Sequence, residues 1–442
     1  MSKAVLLALV VAWGASFYQI YLKDLLVVTF GVGRVMQDID EFPYSCRRVE
    51  HPRLEACEDM WLDDKGRTLY AACAGTSGRM AWNQAMNQVN VTGRRAGGSE
   101  LIALDIDNPG ADGLFNLRSI NPSGNYRGAT GNMDLDLLGF DALILDDSTI
   151  QFYFVNQRPP VGPSNDVIDA FKTGDNSTIE VFEMKKGQET MRHVRTVFSS
   201  EIWTPNRVAA LGDGSGAFLV TNDHSVKLGL RREFDYFIGG GNVAYCSGTG
   251  LCHPAYSGNE VDESTLKPTT PDLPSYMPHL KRALSFVIPR PDLKFPNGLT
   301  RGADGLFYVP SAIDGQIRVF ALEPQNNNTL RLLDTIHVGM PLDNISPDAN
   351  GDLYVPGFPN LAQTGKSFSD PYNEISPVTI WRIRKTVDEG IKSREYKVEK
   401  VIEDKASKVL SGSTTVRHDV KTGRLFVSAA VHPFLVVCEP RK

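Results

Sequence analysis

The chain has 442 residues, a net charge of −6, 42% hydrophobic residues, 39 Gly and 26 Pro. No basic stripe and no interleaving of aromatic with basic residues occurs, which excludes a nucleic-acid-binding surface. Nucleotide-binding glycine loops, zinc-spaced Cys/His clusters and the G-x-S-x-G elbow are absent as well, and the glycine and proline content suits short strands joined by turns.

In chain order, residues 1–35 come first as a signal peptide or signal-anchor, with one early lysine followed by a long apolar run. Ala12-Trp13-Gly14 is a usable small-x-small cleavage site. Leu25 to Val32 is apolar again, which favours retention, although Ala4 to Leu22 only just reaches the ~17–25 apolar residues that a bilayer span needs. Either way the body enters the secretory pathway. It is expected to be secreted, or anchored by its N-terminus with the fold on the lumenal or extracellular side, where that segment would associate with membrane or lipid.

Six copies of one phrase follow, each an acid-glycine or polar turn running into a strand: EDMWLDDKGRTLYAAC from Glu58, DALILDDSTIQFYFVNQ from Asp141, NRVAALGDGSGAFLVTND from Asn206, NGLTRGADGLFYVPSA from Asn297, DNISPDANGDLYVPGF from Asp343 and STTVRHDVKTGRLFVSAA from Ser413. A hairpin unit repeated at this length predicts an all-β fold, a six-bladed β-propeller over residues 40–442. Blades converge on a central channel, so Glu58, Asn206, Asn297, Asp343 and Asn344 are expected at one spot. It is all oxygen with two carboxylates, the donor set of a calcium site. Two insertions interrupt the repeats, a polar surface loop at about 77–99 and a proline-rich lid candidate at about 239–292.

Six cysteines in a secreted chain suit disulfides. A propeller brings its termini together, which makes Cys46–Cys438 the natural staple. Cys246 and Cys252 lie in a glycine-rich loop able to form a local bridge. Cys57 and Cys73 flank the first repeat, and either pair across it or remain two buried thiols. Asn90, Asn176 and Asn327 head sequons in loops, whereas the sequon at Asn344 should be inaccessible inside the channel.

The terminal stretch VLSGSTTVRHDVKTGRLFVSAAVHPFLVVCEP, together with CRRVEHPRLEACEDMWL, TPNRVAALG, TNDH, FPNGL and LDNIS in that setting, resembles the serum paraoxonase/arylesterase family. The resemblance implies a six-bladed propeller with two channel calcium ions that hydrolyses lactones, aryl esters and some organophosphates. It implies Glu58, Asn206, Asn297, Asp343 and Asn344 as ligands of the catalytic calcium, and Cys46–Cys438 as the closing disulfide. The departures are specific. Phe140 and Gln157 stand at the family's two histidine positions, and Arg207 stands where an aspartate helps hold the structural calcium. One calcium is therefore expected, with Arg207 paired bidentately to Asp59, and to Asp141, in place of the second ion.

The resulting expectation is a calcium-dependent hydrolase of small-molecule esters or lactones. Asp343 serves as metal ligand, or as nucleophile or water-orienting group; Asp141 is the candidate base and His224 the further candidate. Phe140 and the proline-rich lid are expected to shape an apolar pocket. The competing expectation is a catalytically silent, calcium-stabilised secretory propeller acting as a binding module. A strictosidine-synthase-like condensation is a third, for which no acid stands out.

Overall fold

The computed structural model describes residues 3–256, 293–386 and 395–441. The fold is all-β and propeller-like, with its sheets arranged in a ring. Each repeat begins on an inner strand, and neighbouring inner strands touch in succession: Cys57–Asp63, Leu137–Asp146, Pro205–Ala210, Thr300–Arg301, Ser346–Pro347 and Ser413–Asp419, which returns to the first. Three four-stranded sheets are built from consecutive antiparallel strands, namely 205–256, 300–337 and 346–404. Strands between 57 and 197 form one eight-stranded sheet, in which Arg118–Ser123 and Thr190–Val197 meet edge to edge through three parallel pairs.

Closure uses both ends of the chain. Tyr44–Val49 pairs antiparallel with Leu435–Pro440 and completes the sheet of Ser413–Asp419. Cys46 lies opposite Cys438 and is bonded to it across 392 residues of sequence. In the chain-entropy model a loop this long contributes about 6 kcal/mol by restricting the unfolded chain. Cys246–Cys252 is also bonded, and Cys57 pairs with Cys73 directly across the first hairpin.

Apolar residues alternate along the strands and fill the wedges between neighbouring sheets. Leu138, Tyr153, Val181, Val208 and Phe218 form one such wedge, and Leu54, Met60, Leu69, Phe426 and Val437 another.

Three sequence expectations change here. The N-terminus is not one spanning helix: a 15-residue helix, Lys3–Phe17, gives way to π-turns at Tyr18–Leu22 and Leu25–Thr29. Among the described residues no helix is long and apolar enough to cross a membrane. From Thr29 onward the segment is tied to the body instead. Thr29 Oγ1 donates to Ile313 O at 3.0 Å, and the Arg34 guanidinium donates to Gly339 O at 2.7 Å and to Pro359 O.

The second change is at the supposed surface loop 77–99, where Gly78, Arg79, Trp82, Gln84 and Val89 are buried. The third concerns the proline-rich insertion: Asn242–Cys246 and Cys252–Tyr256 are strands of the 205–256 sheet, and residues 257–292 lie outside those described. Asn90 and Asn327 are exposed and Asn176 is half-buried, while Asn344 is fully buried.

Candidate metal centre

The inner strands are short and irregular, and the irregularity builds the site. Their pairing slips by one residue between Cys57 and Asp59, between Leu137 and Phe140, between Pro205 and Val208, and between Ser413 and Thr415. A bulge of this kind breaks strict alternation and re-aims side chains. It lets the consecutive residues Glu58 and Asp59 both be buried at the axis, at 3% and 0% exposure. Two glycines permit the close approach of neighbouring strands. A Cβ on Gly298 would lie 2.8 Å from Asn344 Cα, and one on Gly139 would overlap the Asn206 carbonyl oxygen.

Backbone and hydroxyl links hold the ring around the axis. Thr414 and Thr415 each donate their hydroxyl to Glu58 O at 2.9 Å, Asn344 N donates to Thr414 O, and Thr221 Oγ1 donates to Asn297 O at 2.9 Å. Asn344 Nδ2 donates to Glu58 Oε1 at 2.7 Å, which turns the Asn344 oxygen to the other side.

Five buried oxygens then have no hydrogen-bond partner: Glu58 Oε2, Asn206 Oδ1, Asn297 Oδ1, Asp343 Oδ1 and Asn344 Oδ1. Leaving a buried acceptor unsatisfied costs about 1–3 kcal/mol, so five on neighbouring inner segments of one ring demand a shared partner. An all-oxygen set with two carboxylates fits a hard divalent cation. The carboxyls carry the same strain. Glu58 is pushed up to about 7 by burial and then by Asp59, and Asp343 is raised well above the carboxylate range by burial and by Glu58. Among the described residues no three His, Cys, Asp or Glu side chains gather in metal-binding geometry; here the remaining donors are carboxamides.

Asp59 faces a second, cationic layer. Its Oδ2 accepts from Phe140 N at 2.9 Å, and its Oδ1 lies 3.1 Å from Arg207 Nη1 and 4.0 Å from Arg417 Nη2. Arg207 makes one ion contact here rather than the expected bidentate fork, and its Nε and Nη1 have no hydrogen-bonded partner. Asp141 is tied to backbone rather than paired with Arg207: its oxygens accept from Ala142 N and Ala210 N at 2.9 Å each, while the charges of Arg207 and Arg417 act on it through space. A carboxylate accepting from the amide of a neighbouring strand ties the two strands together. Sequence reasoning missed Arg417. It is buried beside Arg207, donates to Met60 O at 2.6 Å, and is pushed down to about 10 by burial and by Arg207. The available signal was its place in the last repeat, two residues after the bulge.

Phe140 is fully buried in the hydrophobic core, its ring 5.4 Å from that of Phe154. Gln157 holds down a cover: its backbone oxygen accepts from Trp82 Nε1 at 2.6 Å, and its side-chain oxygen from Gln84 N at 3.3 Å. Arg232 clamps the same segment through Gln84 O and Ala85 O at 2.7 and 2.6 Å. From the cover helix Thr76–Ala81, the buried Arg79 donates to Leu137 O at 2.5 Å and acts electrostatically on Glu58.

His224 is fully buried at the end of the strand Phe218–Asn222. Its Nδ1 is 2.7 Å from Asp223 Oδ1, its Nε2 has no partner, and its ring packs edge-on against Phe295 and Tyr236. Its backbone N donates to Thr204 Oγ1 at 3.1 Å, which places it beside the segment that carries Asn206. His432, by contrast, has both ring nitrogens engaged, with Ser411 Oγ and Pro371 O, and burial pushes it down to about 4.

Comparison with known proteins gives one family match, to Arylesterase, over residues 288–439. Serum paraoxonase/arylesterase 1 of Rattus norvegicus is 23% identical over 340 residues, covering 75% of this chain and 77% of the relative. The Mus musculus protein is 24% identical over 342 residues, covering 75% and 78%. Among solved structures, the luciferin-regenerating enzyme aligns with 90% of this chain and 95% of its own at 10% identity and a TM-score of 0.43. The virginiamycin B lyase of Staphylococcus aureus aligns with 90% and 99% at 9% identity and a TM-score of 0.40. On the sequence matches, the chain is distantly similar to serum paraoxonase/arylesterase 1 over three quarters of its length, and its C-terminal third matches the Arylesterase family.

Proposed function

We propose that this protein is a calcium-dependent hydrolase of small-molecule esters or lactones, acting at the channel cluster. The single observation that carries this reading is the set of five orphaned oxygens on Glu58, Asn206, Asn297, Asp343 and Asn344. A calcium ion held there would supply Lewis-acid polarisation of the substrate carbonyl. The chain's own residues do the rest. Asp343 is assigned as a ligand and charge partner. His224, oriented through Nδ1 by Asp223, offers a free Nε2 as the proton acceptor for an attacking water. Gln157, Trp82 and Arg232 hold the cover that keeps bulk water out.

The fold reading that accompanies this is six blades. It is supported by the ring of six inner strands and by the three-pair join that divides the eight-stranded sheet into two halves of four. One calcium per chain is proposed, since Asp59 and Asp141 are balanced in charge by Arg207 and Arg417, leaving no net charge for a second ion. Three disulfides support an oxidising compartment, with glycans at Asn90, Asn176 and Asn327 and lipid association through the N-terminal helix as further proposals.

One observation favours the silent binding module: every proposed ligand is 6% exposed or less beneath a clamped cover. Turnover of phenyl acetate and of an aliphatic lactone, with calcium and with chelator, decides between the two. The hydrolase reading requires turnover that disappears with chelator and in Asp343→Ala while circular dichroism stays unchanged. A folded, calcium-loaded protein with no turnover of either substrate leaves the binding module.

A further inference from the structure

Glu58 owes its direction to the bulge at the start of the first hairpin. Cys57 pairs with Cys73 and Asp59 pairs with Ala72, so Glu58 is the extra residue and faces none on the opposite strand. In regular register Glu58 would face Cys73, and Cys57 would face Ala74 instead of the cysteine it is bonded to. Strict alternation would then send Glu58 and Asp59 to opposite faces of the sheet, and only one of the two acids could stay at the axis. The strand enters the bulge from Ala56, a non-glycine residue at φ +50°, whose left-handed conformation costs energy that a slip in pairing would release. The bulge that carries Asn206 is held from the opposite strand by a hydroxyl, with Arg207 N donating to Thr221 Oγ1 at 3.1 Å. The first hairpin has Ala72 beside its bulge, and a methyl offers no such bond. What ties its two strands there is covalent, the Cys57–Cys73 bond, with both residues fully buried.

We propose that the Cys57–Cys73 disulfide is a positioning element of the channel site: it locks the bulge that aims Glu58, and calcium affinity depends on it. This rests on the calcium reading given above and adds a covalent control to it. The bond acts through Glu58 alone, since a slip is what it forbids. Thr414 and Thr415 hold the Glu58 carbonyl oxygen from the neighbouring inner strand, which leaves the register of the hairpin itself to the two cysteines.

Calorimetric titration of calcium into the full-length wild type, Cys57→Ala/Cys73→Ala, Glu58→Gln and the combined variant tests the proposal. Loss of the bond should weaken calcium binding about tenfold, as removal of a group that orients a metal ligand does. That loss should vanish in the Glu58→Gln background, because both changes break one interaction. Cys246→Ala/Cys252→Ala removes a bridge between the outer strands of another sheet and should leave calcium affinity within about twofold of wild type. By reciprocity calcium favours the Cys57–Cys73 bond by the same factor. Redox titration of the wild type in dithiothreitol buffers, read by alkylation and peptide mapping, should therefore place its potential about 30 mV lower with saturating calcium, the tenfold coupling converted for two electrons. The potential of Cys246–Cys252 should not move. Equal calcium affinity with and without the bond overturns the proposal, and so does an affinity loss that persists in full in the Glu58→Gln background; both leave the calcium reading intact. Where the double-cysteine variant does not fold, the wild-type titration decides, and a Cys57–Cys73 potential indifferent to calcium overturns the proposal. A wild type that binds no calcium sinks both readings.

Discussion

Without calcium, the channel carboxyls make the fold sensitive to pH in a direction opposite to ordinary acid denaturation. Glu58 has an ordinary value of 4.5 and is pushed up to about 7 in the fold, first by burial and then by Asp59. The folded state therefore holds this proton more tightly than the unfolded chain. The stabilisation is fully present below 4.5 and is lost as pH rises through about 7. Moving a pKa over that interval corresponds to about 3 kcal/mol, a sizeable part of the 5–15 kcal/mol that ordinarily holds a fold together. Asp343 is raised for the same reasons and acts in the same sense. Asp136 and Asp175, pushed up to about 6 by burial, have titrated before Glu58, whereas His432, lowered to about 4, acts oppositely at acidic pH. The assay is urea unfolding in chelator at about pH 5 and about pH 8, for wild type and Glu58→Gln, which keeps the shape and removes the titration. Wild type should lose roughly 3 kcal/mol more than the variant over this range, and saturating calcium should abolish the difference. Equal pH dependence in the two proteins would refute the reasoning, because the buried carboxyl would then bear no cost.

Arg207→Ala should destabilise the fold by about 3–5 kcal/mol by leaving Asp59 short of its closest cation, and metal analysis of the purified wild type should find one calcium per chain; two would sink the assignment of arginines to the second layer. Gly298→Ala places a methyl 2.8 Å from Asn344 Cα, so calcium affinity should fall together with a stability loss of about 1–3 kcal/mol, read by calorimetry and thermal unfolding. His224→Gln should lower kcat by about a hundredfold or more with calcium affinity unchanged, and a kcat within twofold of wild type would remove His224 as the proton acceptor.

Much of the architecture is local in sequence and so was legible there. Each acid-glycine turn and its following strand fold through neighbouring residues, and six copies imply a ring whatever the long-range contacts are. The leading residues of the repeats, Glu58, Asn206, Asn297 and Asp343, follow from that ring, since inner strands face one axis. Terminal cysteines in a closed ring must meet. Side-chain direction is another matter, because it depends on partners far along the chain. Asp141 leads its repeat as the others do, yet its oxygens are taken by backbone amides, one of them 69 residues away. The one-residue slip at Glu58 buries two consecutive acids at the axis, which strict alternation forbids. The polar, glycine-rich segment around Arg79 reads as solvent-exposed because its composition is polar. In the fold it is the cover, held down by Gln157 and by Arg232, which donates to Gln84 O from 148 positions away. Repetition along the chain determined the ring and placed Glu58, Asn206, Asn297 and Asp343 at the starts of its repeats; only tertiary packing decided which of their oxygens are left without partners and which charges oppose them, because burial and hydrogen-bond satisfaction are settled between strands that the sequence keeps far apart.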